Sequence, residues 1–431
     1  MNWDRGNIKI AVVGLGYVGL PLACLFARKY DVIGFDINTH RVSELTKAHD
    51  STDTFTDAEM QHSLETGLSV TSDATRLNSC NIIIVAVPTP VTNDRKVDLR
   101  PLLGATDIVG RNLAKGTIVI YESTVYPGAT EEDCMPLLQK LSGLKYNTEF
   151  FIGYSPERIN PGDHEHTIEK IRKITSGSTP EVADFIDKLY NTVLENGTHK
   201  APAIRVAEAA KIVENCQRDV SIAFMNEMDH IFNAMGINTR DVLEAAGTKW
   251  NFIHFEPGLV GGHCIGVDPY YLIQKANTVG EPASLLSTAR SLNDSMGAYM
   301  ADQTLRLMKE AGINPEKSRV LILGFTFKEN CNDIRNTKII DIILQLHKTI
   351  ADFTVCDPYA IQEMVKEEYG VDIVPDLAQV TSQQYDTILL CVKHQDFKSL
   401  PIEQMLKPNG ILCDIKGFYR SKRNKPYYRE I

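Results

Sequence analysis

The constraint that narrows the possible folds most lies between Ile8 and Asp36. An apolar, β-branched run (Ile8 to Val13) passes at once into Gly14-Leu15-Gly16-Tyr17-Val18-Gly19. A helix-forming stretch (Pro21 to Lys29) follows, then a second apolar run (Asp31 to Phe35) that ends on Asp36. The order is strand, G-x-G-x-x-G, helix, strand, carboxylate, with Asp36 placed 22 positions after Gly14, and it has a mechanical reading. Gly14 makes the tight turn, Gly16 lets a pyrophosphate approach the backbone, and Gly19 lets the helix pack closely on the strand. The helix N-terminus then faces the phosphates and Asp36 accepts from a ribose 2′-hydroxyl. A carboxylate there repels a 2′-phosphate, so NAD is expected rather than NADP. Tyr17, Val18 and Arg41 belong to the same candidate cofactor site.

Further strands are expected at Asn81 to Val87 and Thr117 to Tyr121, ending in the polar loops Pro88-Thr89-Pro90 and Glu122-Ser123-Thr124-Val125. Ligands of doubly wound sheets bind beyond the carboxyl ends of strands, which puts Pro88, Thr89 and Thr124 beside the nicotinamide. The Thr124 hydroxyl would serve equally as a local cap. Phe150 to Tyr154 reads as a strand running into Ser155-Pro156-Glu157-Arg158-Ile159-Asn160-Pro161-Gly162. Its prolines hold Glu157 and Arg158 in a stiff loop, either as a surface ion pair or as a strand-end carboxylate near a cofactor crevice.

At 431 residues the chain is too long for one ordinary core. From Pro202 to Gly236 the pattern changes to a long helix. Val206, Ala209, Val213, Cys216, Val220 and Phe224 recur every three or four residues and are expected to be its buried face. Glu208, Lys211, Asn215 and Ile222 lie roughly opposite, with Lys211 and Asn215 pointing the same way. Such a helix between two α/β halves reads as a spine that joins domains and packs on a second subunit. Helical pattern returns at Thr239 to Ala246 and at Ala283 to Gly312.

A second α/β unit begins at Arg319: a strand (Val320 to Gly324), the loop Phe325-Thr326-Phe327-Lys328-Glu329-Asn330, a helix (Thr337 to His347), and a strand (Phe353 to Cys356) ending at Asp357. Strands Thr387 to Val392 and Ile411 to Asp414 complete it. This echoes the first unit with the glycine fingerprint lost and a basic set, Lys328, Arg335 and Lys338, in its place. The set reads as a nucleotide-phosphate site or as a solvated charged loop. The fold class is therefore α/β, with two Rossmann-like doubly wound domains joined by a long central helix and a small helical domain. The expected boundaries are 1–202, 203–312 and 313–431.

Between the halves lies Val260-Gly261-Gly262-His263-Cys264-Ile265-Gly266-Val267-Asp268-Pro269-Tyr270-Tyr271. Glycines on both sides of a thiol suggest an exposed, tightly turned site, and Asp268 follows four residues after Cys264. Alone, the loop also suits a buried structural cysteine. Composition narrows the chemistry. Nine cysteines scattered without C-x-x-C pairs argue against a disulfide framework and a zinc site, and no metal is expected. A net charge of −10 disfavours nucleic acid. No apolar run reaches the ~18 residues of a membrane span, and no signal-peptide pattern opens the chain, so a cytoplasmic protein is expected.

Taken in one order, the fingerprint, Ser155-Pro156-Glu157-Arg158, Lys211 with Asn215, the cysteine loop and Gly324-Phe325-Thr326-Phe327-Lys328 resemble the nucleotide-sugar 6-dehydrogenases, the family of the UDP-glucose and GDP-mannose dehydrogenases. The likeness runs from Ile8 to about Gly417. The forms of the Glu157 and Cys264 motifs look most like the UDP-N-acetylhexosamine branch, which supplies uronic acids for bacterial capsule and O-antigen polysaccharides. One departure is Cys331, where the family usually has a threonine.

The resemblance implies oxidation of a UDP-sugar's C6 alcohol to a carboxylate with two NAD⁺ in sequence. By it, Cys264 attacks the intermediate aldehyde to give a thiohemiacetal and then a thioester, with Lys211 as a cation that favours the thiolate. Lys211 and Asn215 steady oxyanions. Glu157, Thr124 and Asp268 position and deprotonate water, with either carboxylate as base in each step. Lys328 and Arg335 hold the diphosphate, Arg335 through its bidentate reach. Glu157, Arg158, Lys211, Asn215 and Gly261 complete the substrate contacts, and a homodimer or higher homo-oligomer forms through the central helix. The rivals are a UDP-glucose or UDP-N-acetylmannosamine dehydrogenase, an NAD-containing epimerase or short-chain reductase (Tyr271 and Lys275 match a Tyr-x-x-x-Lys pair), and a non-catalytic sensor.

Overall fold

The computed structural model describes residues 8–52, 54–92, 94–159, 167–262 and 264–431. Asn160, Pro161, Gly162 and His263 of the motifs above lie outside the described residues. Two compact units emerge. The first runs up to Glu214 and takes in Tyr270–Pro282; the second comprises Asn215–Pro269 and Ala283–Ile431.

The first unit is built on an eight-stranded sheet: β1 (Lys9–Val13), β2 (Asp31–Phe35), β3 (Leu68–Thr71), β4 (Ile82–Val85), β5 (Ile118–Tyr121), β6 (Phe151–Tyr154), β7 (Lys173–Gly177) and β8 (Thr198–Lys200). Their order is β3-β2-β1-β4-β5-β6-β7-β8, parallel throughout except for the antiparallel pair β6–β7. The central strands are apolar without interruption because both faces are covered. Alternate residues feed two cores: Ile10, Val12, Ile82, Ile84, Ile118 and Ile120 on one face, Ala11, Val13, Ile83, Val85 and Val119 on the other. The strand order reverses between β1 and β4, opening a crevice at their carboxyl ends.

The second unit carries a six-stranded parallel sheet: β9 (Arg319–Leu323), β10 (Asp352–Cys356), β11 (Ile373–Val374), β12 (Tyr385–Leu390), β13 (Leu406–Asp414) and β14 (Tyr428–Glu430), in the order β11-β10-β9-β12-β13-β14. The basic, aromatic tail forms its edge. The Asp414 carboxylate gathers the backbone N–H groups of Lys416, Phe418 and Tyr419 and the Tyr428 hydroxyl, and so turns the chain back to pair β14 with β13.

Five helices matter for the site: α1 (Gly19–Ala27), α2 (Pro180–Asn191), α3 (Ile204–Met235), α4 (Asp268–Thr278) and α5 (Ser284–Glu310). The 32-residue α3 corrects one expectation. Val213 and Phe224, expected inside, are 57% and 53% exposed, and Val206 is exposed too. Cys216 is buried as expected, and Ala209 and Val220 are half-buried. The buried side carries polar Glu208, Lys211, Asn215, Asp219, Asn226 and Asp229 among apolar Ile204, Ala207, Ile212, Ala223 and Met225. The period is right and most of the stripe expected inside faces out, because periodicity separates two faces of a helix without saying which one faces protein. No helix among the described residues is long and apolar enough to cross a membrane.

Glu208, 0% exposed, receives the backbone N–H groups of Gly128 and Thr130 and so fixes the turn after β5 to α3. Burial outweighs these bonds and lifts its carboxyl from 4.5 to about 7. The folded chain therefore keeps a proton that the unfolded chain has released. The stability gained is full below pH 4.5 and is lost as the pH rises through about 7. Thermal midpoints should fall between pH 5 and pH 8, and Glu208→Gln should remove part of that slope. Glu208→Ala should lower stability by about 2–4 kcal/mol in urea unfolding, since two buried amide donors lose their acceptor.

Candidate active site

Each of the fingerprint glycines has its own reason. A Cβ on Gly19 would lie 1.8 Å from the Gly14 carbonyl oxygen, so helix α1 reaches β1 only through glycine. A Cβ on Gly16 would meet nothing within 4 Å. Packing within the protein does not demand glycine there; a ligand lying against the backbone does. Val18 stands half-buried as the N-cap of α1, beside the half-buried Tyr17.

Asp36 and its counterpart Asp357 differ in what they have left to give. A carboxylate offers about four acceptor sites. Among the described residues Asp36 accepts from two donors, the N–H groups of Leu15 (2.8 Å) and Asn38 (2.9 Å), leaving room for ribose hydroxyls. Asp357 accepts N–H groups from Phe325, Thr326, Tyr359 and Ala360, and also His394 Nε2 at 3.0 Å. The carboxylate at the matching position of the second sheet is therefore filled by the chain's own donors. Arg41 is buried, donates to the Leu15 carbonyl at 2.9 Å and pairs with Glu44 and Asp50. Its Nη2 is buried without a partner, an orphan donor beside the fingerprint turn. These features fit NAD, which Gly14, Gly16, Gly19, Asp36 and Arg41 would hold.

At the neighbouring strand ends the Thr89 hydroxyl donates to the Thr124 carbonyl at 2.7 Å, with Pro88 exposed beside it. The Thr89 carbonyl in turn accepts from the Tyr271 hydroxyl at 2.7 Å, while Lys275 pairs with Glu132 at 2.6 Å. Tyr271 and Lys275 are thus structural groups, not the catalytic pair of a short-chain reductase.

Glu157 is buried, and its Oε1 accepts the N–H groups of Arg158 and Ile159. Its Oε2 accepts from the Lys173 ammonium at 3.2 Å. Arg158 pairs with Glu214 at 2.6 Å and donates to the Arg172 carbonyl, which locks the loop against α3. Lys211, on the buried face of that helix, is 7% exposed and has no carboxylate partner among the described residues. A buried ammonium without an acid is costly unless it serves a ligand's oxygen.

In the second unit Asn215 donates its side-chain amide to Asp268 Oδ2, bringing two of the expected catalytic residues into contact. Asp268 opens α4, and its N–H donates to the Cys264 carbonyl at 2.8 Å, so the half-exposed cysteine sits in the turn that starts the helix. This turn rests on the Lys328 segment. A Cβ on Gly261 would come within 2.8 Å of the Asn336 carbonyl oxygen, and one on Gly262 (φ +77°) within 3.1 Å of the Phe327 ring. Asn336 also donates to the Gly262 carbonyl. Lys328 lies over the Phe327 ring, Arg335 forks onto Asp333, and Lys338 pairs with Asp294 and Asp341.

Sequence reasoning passed over Glu208, Lys173 and His394. The first carried no signal beyond its place on a polar helix face. Lys173 opens a short strand 16 residues from Glu157, a spacing with no local meaning.

Three family models cover the chain in order. They are the UDP-glucose/GDP-mannose dehydrogenase family's NAD binding domain over residues 8–194, its central domain over 205–295 and its UDP binding domain over 321–421. A UDP-N-acetyl-D-glucosamine 6-dehydrogenase of Pseudomonas aeruginosa is 51% identical, across 95% of this chain and 97% of its own length. Protein CapL of Staphylococcus aureus is 48% identical, across 96% and 97%. Among solved structures, a UDP-D-ManNAc dehydrogenase from Pyrococcus horikoshii superposes with a TM-score of 0.88 at 29% identity, across 98% and 99%.

Gly16→Ala offers a clean test of the cofactor site. The variant should stay within about 0.5 kcal/mol of the parent in stability, as a surface change does. Its NAD affinity, read by calorimetry, should fall at least about tenfold, because the methyl stands where the pyrophosphate approaches.

Proposed function

The chain belongs to the UDP-glucose/GDP-mannose dehydrogenase family, and from that premise we propose that it oxidises C6 of a UDP-N-acetylhexosamine, UDP-N-acetylglucosamine or UDP-N-acetylgalactosamine, to the uronic acid. It is an NAD-dependent nucleotide-sugar 6-dehydrogenase. Bound NAD⁺ supplies the hydride acceptor for both oxidations. The observation that carries the reading is the Cys264 turn seated directly on the segment that bears Lys328 and Arg335. A diphosphate held by that segment and a sulfur held by that turn belong to one substrate.

The protein's own groups then divide the work. The Cys264 sulfur adds to the C6 aldehyde, and a proton goes to the resulting oxygen; the thiohemiacetal so formed can lose a second hydride. Asn215, fixed by Asp268, and Lys211, with no acid partner among the described residues, donate to the oxyanion. Glu157, or Asp268, takes the proton of the water that opens the thioester, and the sulfur leaves as thiolate. The choice of an N-acetylglucosamine-type sugar draws on identity: 51% to a relative named for it, against 29% to the mannosamine enzyme.

We place the reaction in the cytoplasm, where it would feed surface polysaccharide, by the chain's likeness to that branch. The exposed apolar residues of α3, Val206, Val213, Phe224, Ile231 and Met235, support assembly of two copies along this helix. Their spacing follows one stripe of the helix, and stripes of this kind are covered in solution.

Across a panel of UDP-sugars, UDP-N-acetylglucosamine or UDP-N-acetylgalactosamine should turn over faster than UDP-glucose, with two NADH formed per sugar; fastest turnover of UDP-glucose would reverse the assignment. Cys264→Ala should cut uronic acid formation by about 10³-fold or more while NAD binding persists. Acid produced at the parent rate would sink the covalent scheme.

A further inference from the structure

Behind Glu157 lies a sealed cluster that the reaction scheme does not use. Lys173, the first residue of β7, is 1% exposed, and its ammonium is shared between Glu122 Oε2 at 2.5 Å and Glu157 Oε2 at 3.2 Å. Glu122 follows β5 directly and is fully buried; its other oxygen accepts from the Tyr190 hydroxyl of α2 at 2.5 Å. The Lys173 ammonium also lies 5.6 Å from the Tyr190 ring centroid. Around Glu157 the facing groups are therefore Lys173 from β7, Glu122 from the end of β5, Tyr190 from α2 and the adjacent Arg158, whose guanidinium is spent on Glu214 of α3.

Two counts give this cluster a consequence. First, Glu157 has about four acceptor sites, and three are taken: two on Oε1 by backbone N–H groups and one on Oε2 by Lys173. One lone pair, on Oε2, is left to receive a proton. Second, two carboxylates share one cation out of water, so the fully ionised cluster carries one surplus negative charge. Glu122 is where the surplus is relieved. Burial, against the pull of Lys173 and with the push of Glu157, raises it from 4.5 to about 7. Tyr190 stays neutral, its hydroxyl driven well up by burial and by Glu122. Lys173 stays charged: burial works against its ammonium, but the two carboxylates prevail and its net shift is upward.

We propose that Lys173 is a positioning residue for the reaction, with Glu122 as its counterweight: the shared ammonium fixes Glu157 through a charge-assisted hydrogen bond and, among the described residues, leaves a single Oε2 lone pair as the base. Glu122 takes the rest of the ammonium and can carry the cluster's extra proton. The inference rests on the reading of Glu157 as a base toward water. It adds that the base is placed by a lysine that never meets the substrate.

The test is the pH profile of kcat, with the best UDP-sugar of the panel, for Lys173→Met, Lys173→Arg, Glu122→Gln, Glu157→Gln and the double variant Lys173→Met/Glu122→Gln. In Lys173→Met two buried carboxylates face each other without a cation and compete for one proton. The acid limb should move up by about one pH unit or more, with kcat at pH 7 down about tenfold or more and recovering toward high pH. Adding Glu122→Gln removes the competitor and should bring the limb back down, and Lys173→Arg should keep it near the parent position. A loss in Lys173→Met that is equal at every pH, with no return in the double variant, would overturn the proposal and leave Lys173 as a structural residue. Should Lys173→Met fail to fold, Glu122→Gln alone decides. Its acid limb should stay at the parent position, because glutamine matches the protonated Glu122 that faces Glu157 there, and a displaced limb is the refuting result. Glu157→Gln separates the premise from the inference. If that variant keeps the parent profile, the reading of Glu157 as base fails; if it loses activity while Lys173→Met keeps the parent limb, only the role of Lys173 fails.

Discussion

The structure turns on a long helix that buries its polar side. Glu208, Lys211, Asn215, Asp219, Asn226 and Asp229 follow one another along α3 at helical spacing, all sheltered from water. A polar group so placed costs about 1–3 kcal/mol if it goes unbonded, and the neighbouring chain is arranged to meet all of them but Lys211. Glu208 receives the turn after β5. Asn215 donates to Asp268. Asp219 receives Arg290 and Asn293 of α5. Asn226 closes on both the N–H and the carbonyl of Gly258, just ahead of the cysteine turn. Asp229 receives Thr239 and Asn233. Lys211 stands apart from this series, a cation given no acid among the described residues.

The same helix explains how a mobile-looking, glycine-rich loop becomes a defined place for a thiol. Gly258 is pinned to Asn226 at one end, and Asp268 is pinned to Asn215 at the other. Between them the chain lies against the Phe327 ring at a distance only glycine permits. The placement of the Cys264 thiol is thus a property of three elements, α3, the start of α4 and the segment after β9. The ordering cost is met during folding rather than at each turnover.

How much of this the sequence disclosed depends on whether a residue's reason is local. The fingerprint was readable because Gly14, Gly16 and Gly19 stand at fixed spacing across one turn and the start of one helix, and Asp36 ends the strand that follows. The cysteine loop was readable because no propensity for helix or strand accounts for its glycines. The inward side of α3 was legible only in part: Cys216 is inside as expected, but Val206, Val213 and Phe224 face out, since apolar and polar stripes share a period. Strands β7 and β8 escaped notice because Lys173, Thr175, Ser176 and His199 give them no apolar run. Lys173 itself has meaning only through Glu122 and Glu157, which the fold brings to it from 51 and 16 positions away.

The imidazole of His394 has an effect that reaches past its own domain. Both sheets offer a strand-end carboxylate at the same topological position, and a cell holds nicotinamide dinucleotide in abundance. Had Asp357 kept free oxygens, that abundant molecule would be a standing competitor for the nucleotide sugar's place. By filling the carboxylate with its own ring and four backbone amides, the chain makes the two nucleotide seats unlike one another. The second carboxylate is thereby spent before any ribose can reach it.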